Sequence, residues 1–126
     1  MPAEYVLELP YRSPPLNLNH RHNRWAQAAL VKQLRRDAWA LAKQARIGHH
    51  DRVEVALHWQ PGRRGTYDDE NPTPTLKACA DGLVDAGVTT DDDHERMTKR
   101  VVIHDPAKPG RLWLVVTPLT EEATRD

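Results

Sequence analysis

Asp68, Asp69, Glu70 and Asn71 stand before one helical stretch of the chain, and Asp91, Asp92 and Asp93 stand after it. Carboxylates are hard oxygen donors. Gathering several in one place costs repulsion unless a cation such as Mg²⁺ sits among them, and such a cation can activate water beside a phosphate. In an extended segment alternate side chains project the same way, so Asp68 and Glu70 are expected to act together and Asp69 to point elsewhere. The alternative is that both runs are solvated loop acids. Lys77 follows the first cluster, where its ammonium can either offset charge on a phosphate or pair with Asp81 four residues on. His20, His22, His49 and His50 are loop histidines with no cysteine or helical histidine partner to complete a zinc set.

These side chains have to be positioned by regular elements, which the apolar spacing outlines. Residues 4–9 alternate, with Tyr5, Leu7 and Leu9 on one face, and Pro10 ends the strand. From Trp25 to Ile47, Leu30, Leu34, Ala38, Leu41 and Ala45 recur at spacings of three and four before Gly48, which predicts a long amphipathic helix. Its other face carries Lys32, Arg36, Trp39 and Lys43, either a phosphate-facing row or a solvated one. Val53, Val55, Leu57 and Trp59 alternate with polar residues up to Pro61-Gly62. Thr73 as N-cap, Pro74 in the first turn and Gly87 past the end predict a second helix over 74–86. Strands 101–103 and 112–117 flank a short Pro/Gly loop and read most simply as an antiparallel hairpin. The order is βαβαββ: an α+β fold with two helices on a mixed or antiparallel sheet.

The chain has 126 residues, 39% apolar and 29% charged, which fits one domain over 1–126 with a single core. Its one cysteine, Cys79, allows no internal bridge and lies in an apolar stretch, as expected of a buried thiol in a reducing compartment. With no basic leader and no apolar run of about 20 residues, the expectation is a cytoplasmic protein with no membrane partner. The zero net charge conceals polarity: residues 1–66 hold 11 Lys/Arg against 5 Asp/Glu, and residues 67–126 hold 7 against 13. The basic half suits a polyanion and the acidic half a divalent cation.

The early strand followed by PPLNLNHRHNRW, the long helix, the basic turn with Arg63 and Arg64, then DDEN, PTLKACADGLVDAG and TTDDD resemble the RusA-type Holliday junction resolvases, especially phage and actinobacterial members. In that family an Asp-x-Asp-Asn is followed by a lysine, a helix ending in Ala-Gly, and an Asp-Asp pair. Asp68, Asn71, Lys77, Ala86-Gly87 and Asp91-Asp92 fall in register, and Glu70 replaces the usual second aspartate. The resemblance implies a structure-selective endonuclease that nicks two opposed strands of a four-way DNA junction with Mg²⁺ or Mn²⁺. Asp68, Glu70 and Asp92 would then hold the metal, with Asp91 adjacent and Lys77 as electrostatic helper. Arg21, Arg24, Lys32, Arg36, Arg63, Arg64 and Asn71 are the candidate DNA contacts. Glutamate keeps the charge but moves the carboxylate by about 1.5 Å, a strain on octahedral Mg²⁺ geometry. A junction- or duplex-binding protein without cleavage, or a domain that uses its carboxylates only for metal-dependent stability, are the alternatives.

A geometric expectation is independent of the family. The helix over 74–86 is roughly 20 Å long, so the two acidic runs start at opposite ends of a rod. Either the chain after Gly87 folds back along the helix, or two chains pair their second helices antiparallel in a homodimer. The dimer is the favoured expectation, because a two-fold suits paired nicking.

Overall fold

The structure is a computed structural model that describes residues 4–18 and 23–119. Its elements are β1 (Tyr5–Glu8), α1 (Arg24–Ala45), β2 (Val53–Gln60), α2 (Thr73–Asp85), β3 (Met97–Ile103) and β4 (Arg111–Pro118). The βαβαββ order and the α+β class hold. Both helices cover one face of a four-stranded mixed sheet, and Leu34, Val55, Leu57, Leu83, Leu112 and Leu114 close the core between the layers. Among the described residues, no helix is long and apolar enough to cross a membrane.

The sheet order is β1-β4-β2-β3, which overturns the expected hairpin. β3 and β4 are not neighbours. β2 runs between them, parallel to β3 and antiparallel to β4. Val53, Val55, Ala56 and Leu57 are all buried, so β2 is a central strand that needs hydrogen-bond partners on both edges. The loop after β3 therefore crosses the end of β2, with His104 N–H donating to Trp59 C=O and Ala107 N–H donating to Pro61 C=O, both at 2.8 Å. β3 also begins four residues before the expected Val101, because its first half, Met97-Thr98-Lys99-Arg100, is largely exposed on a sheet edge and lacks an apolar pattern.

α1 starts at an Asn23 cap, whose side chain accepts from Ala26 N–H at 2.8 Å. It ends earlier than expected, with Arg46 in the left-handed region at φ 55°. Ala45 is exposed; the buried stripe is Leu34, Ala38 and Ala42. α2 keeps its expected extent within a residue, with Gly87 at φ 82° just beyond it. Thr73 is not its N-cap. The Thr73 hydroxyl instead donates to Glu70 C=O at 2.8 Å, within a turn that leads into the helix. α1 and α2 meet at Gly82, where the backbones come so close that no side chain fits. Buried Thr75 of α2 ties down the segment after β1: its hydroxyl donates to Leu16 C=O at 2.6 Å and accepts from Leu16 N–H at 3.0 Å.

Candidate functional site

The first acidic cluster is a turn and not an extended segment, which overturns the alternate-residue expectation. Asp68 Oδ1 accepts from Glu70 N–H at 2.9 Å, and Asp68 C=O accepts from Asn71 N–H at 3.1 Å. A short acid bonding its own backbone two residues on favours such a turn. Asp68 is thereby turned inward on its own loop. Asp69, expected to point away, joins Glu70 in lining a groove of about 430 Å³ together with Thr73, Lys77, Lys99 and Arg100.

The second cluster reaches two of the lysines that line this groove. After Gly87 the chain turns back, held by Val88 N–H on Leu83 C=O at 3.1 Å and by His50 N–H on Val88 C=O at 2.8 Å. It covers the roughly 12 Å from Asp85 to Lys77 alongside α2. Asp92 Oδ2 then accepts from Lys77 Nζ at 2.5 Å and lies 3.5 Å from Lys99 Nζ, which also donates to Asp92 C=O at 2.6 Å. The fold-back route is thus taken within one chain, without the second copy that the dimer expectation called on for this approach. Lys77 bonds Asp81 at 3.0 Å as well, so the helical pair and the functional pair coexist on one ammonium. Its hydrogen bond to Asp92 raises the Lys77 pKa, and the same bond holds the Asp92 carboxyl below its ordinary value.

The candidate metal ligands do not assemble into a cage in one chain. Among the described residues no three His, Cys, Asp or Glu side chains converge. Asp92 is taken by two lysines, Asp68 caps its own turn, and Asp91 Oδ1 accepts from Asp92 N–H at 2.7 Å. Asp93 Oδ1 caps Glu95 and Arg96 N–H at 3.0 Å each. Within one chain these carboxylates are thus each engaged separately and are not grouped around a common point. The histidines are also engaged: His49 contacts Gly87 C=O and His50 contacts Ile47 C=O. His20, His22 and Arg21 lie outside the described residues.

The candidate DNA contacts fall in separate places. Arg24, Lys32 and Arg36 lie along α1, where Lys32, Arg36 and the partly exposed Trp39 border one shallow groove with Arg35. Arg35 is bound to Asp85 of α2 in a two-pronged ion pair. Arg63 and Arg64 are exposed on the loop after β2, and Asn71 C=O accepts from Leu18 N–H at 3.0 Å beside α2. Lys99 was not singled out from the sequence. It shares the helix-facing side of β3 with Met97 and Val101, but the polar run around it carries no strand pattern that would have pointed there.

Cys79 is fully buried, and burial pushes its thiol up to about 12. It has no role at the groove.

No protein-family model matches the chain. It is similar to an uncharacterized protein of Xylella fastidiosa, 27% identical over 125 residues that make up 94% of this chain and 79% of that protein.

Proposed function

We propose that the chain is a structure-selective endonuclease of the RusA type that acts on four-way DNA junctions. One observation carries the reading: Glu70 and Lys77, scattered in the sequence and aligned with the family's motif, line one groove at the edge of α2 and β3, and Asp92, the motif's later aspartate, is bonded to Lys77 there. Lys77 and Lys99 offer two ammonium groups where a backbone phosphate would lie, and would offset charge that develops on it. Exposed Arg24, Lys32, Arg36, Arg63 and Arg64 supply sequence-independent attraction to DNA. The reading includes Mg²⁺ or Mn²⁺ as the ion and a homodimer in which a second copy adds carboxylates at the groove, since those of one chain are not grouped around a common point among the described residues. Two equivalent sites suit paired nicks on a two-fold-symmetric junction. The buried unpaired thiol agrees with a cytoplasmic setting.

A second reading has its own observation. The double lysine clasp on Asp92 neutralises the carboxylate that the family uses, as expected of a junction-binding protein without cleavage. The discriminating experiment is cleavage of a labelled four-way junction beside linear duplex of the same sequence, in Mg²⁺ and in Mn²⁺, with Asp92→Asn as control. Symmetric nicks confined to the junction and lost in Asp92→Asn establish the nuclease. Junction binding without nicks in either metal establishes the second reading.

A further inference from the structure

Tyr67, two residues before Asp69, lines a second groove, of about 580 Å³, formed where the loops after β1, β2 and β3 come together. Its charged lining residues are Arg12, Arg63 and Lys108, with no carboxylate among them. None of the three has an ion-pair partner among the described residues, whereas Arg35, Arg100 and Arg111 are all paired with carboxylates. Three like charges on one concave surface repel, and an anion bound there removes that cost.

The groove is held by backbone contacts, so it is already shaped for a ligand. A Cβ at Gly62 would lie 3.0 Å from Pro109 C=O, and one at Gly110, where φ is 93°, would lie 2.9 Å from Arg12 C=O. These two glycines let three loops touch main chain to main chain. Tyr67 is fixed as well: its hydroxyl donates to Arg63 C=O at 2.8 Å, and its ring meets the Trp59 ring edge-on at 4.8 Å. The Trp59 indole N–H, on the same wall, is buried with no acceptor among the described residues. The cationic groove adjoins the acidic one, since the Cα atoms of Tyr67 and Asp69 are at most about 7 Å apart along the chain.

We propose that Arg12, Arg63 and Lys108 hold the sugar-phosphate backbone of one DNA strand and lead it into the adjoining groove of Glu70, Lys77 and Lys99. The proposal rests on the DNA reading above. Of the nine cations named as candidates in that reading and here, it assigns the strand path to this groove and not to α1. A strand fits better than a free phosphate because the cations come from three separate loops spread over the groove and the aromatic walls offer contact to sugar or base.

The test measures binding of a labelled four-way junction and of a labelled oligo(dT) strand by anisotropy, in EDTA, over a series of salt concentrations. The full chain is compared with the triple variant Arg12→Gln/Arg63→Gln/Lys108→Gln and with Lys32→Gln/Arg36→Gln on α1. All five side chains are exposed, and circular dichroism checks that each variant is folded. The expected result is that the triple variant binds about tenfold or more weakly at low salt, with its log K against log [salt] slope shallower by about 2, and that the α1 variant, whose cations add only diffuse attraction, loses clearly less in both affinity and slope. A triple variant that keeps the parent's affinity and slope overturns the proposal, as does a loss confined to the α1 variant. If the parent cuts junctions while the triple variant binds unchanged, the nuclease reading stands and the strand path is wrong. If the parent holds both DNAs through this groove but never nicks, the strand path stands and the nuclease reading falls. Failure to bind either DNA at low salt overturns both.

Discussion

Gly82→Ala is the sharpest test of how α2 is positioned. In an exposed helix this substitution stabilises by about 1 kcal/mol, because alanine loses less backbone freedom on folding. Here the added Cβ would stand 2.1 Å from the Arg35 carbonyl oxygen and 3.0 Å from the Ala38 Cβ. An ordinary contact to that oxygen needs about 3.3 Å or more, so the helices must part by more than about 1 Å. The obstacle is main chain, which cannot rotate aside, and Leu34, Ala38 and Ala42 of α1 are packed into the core around it. Overpacking of this kind costs up to about 3 kcal/mol, so the net loss is about 2 kcal/mol after the helical gain. At about 2.1 cal/mol/K per residue, a chain of 126 residues shifts by about 4 °C per kcal/mol. The expected Tm is therefore lower by about 8 °C in thermal unfolding followed by circular dichroism, with a matching drop in the urea midpoint. A Tm equal to or above the parent's would refute the close approach of α1 and α2, and with it the placement of Lys77 against Asp92.

Thr75→Val keeps the shape but strips the hydroxyl that both donates to and accepts from Leu16; the expected loss is about 2–4 kcal/mol, read by urea unfolding, together with faster hydrogen exchange at the Leu16 amide. Asp92 has its pKa lowered by the Lys77 hydrogen bond, so its contribution to stability is present above its unfolded value near 4 and is lost as pH falls through the lower folded value. Asp92→Asn should then flatten the fall in Tm below about pH 4, and an acid limb as steep as the parent's counts against the ion pair. His58 Nδ1 lies 2.8 Å from His104 Nε2, and burial, the His104 charge and the Arg100 charge together lower its pKa. Its neutral form is favoured by folding, so stability is full above the unfolded value near 6.5 and declines as pH falls through it. NMR titration should place His58 below that value, and a midpoint at or above it would contradict the arrangement.

Much of this fold is legible one residue at a time. Alternation over Tyr5–Leu9 and Val53–Gln60, Pro74 at the start of α2 and Gly87 past its end are local properties, and the structure keeps them. Local signals are weaker where another element supplies the reason. Nothing in Met97–Arg100 announces a strand, because an edge strand with polar residues gains its place only by pairing with β2. The hairpin expectation failed for the same reason: two strands with a short loop between them look adjacent until a buried third strand claims both edges.

The candidate site divides along the same line. Residue types, charge and spacing mark the two acidic runs, Lys77 and the helix that separates the runs, and only the family resemblance picks Asp68, Glu70 and Asp92 out of them. They also mark Arg63 as an exposed loop cation. Tertiary structure alone decides that Asp92 returns along α2 to Lys77, that Lys99 joins them from β3, and that Arg12 and Lys108 gather around Arg63. The physical reason is that side-chain chemistry and local hydrogen bonding belong to short stretches of chain. Which stretches meet is set by burial of the shared core, and that depends on residues far from the groove, Gly82 and the central strand β2 foremost among them.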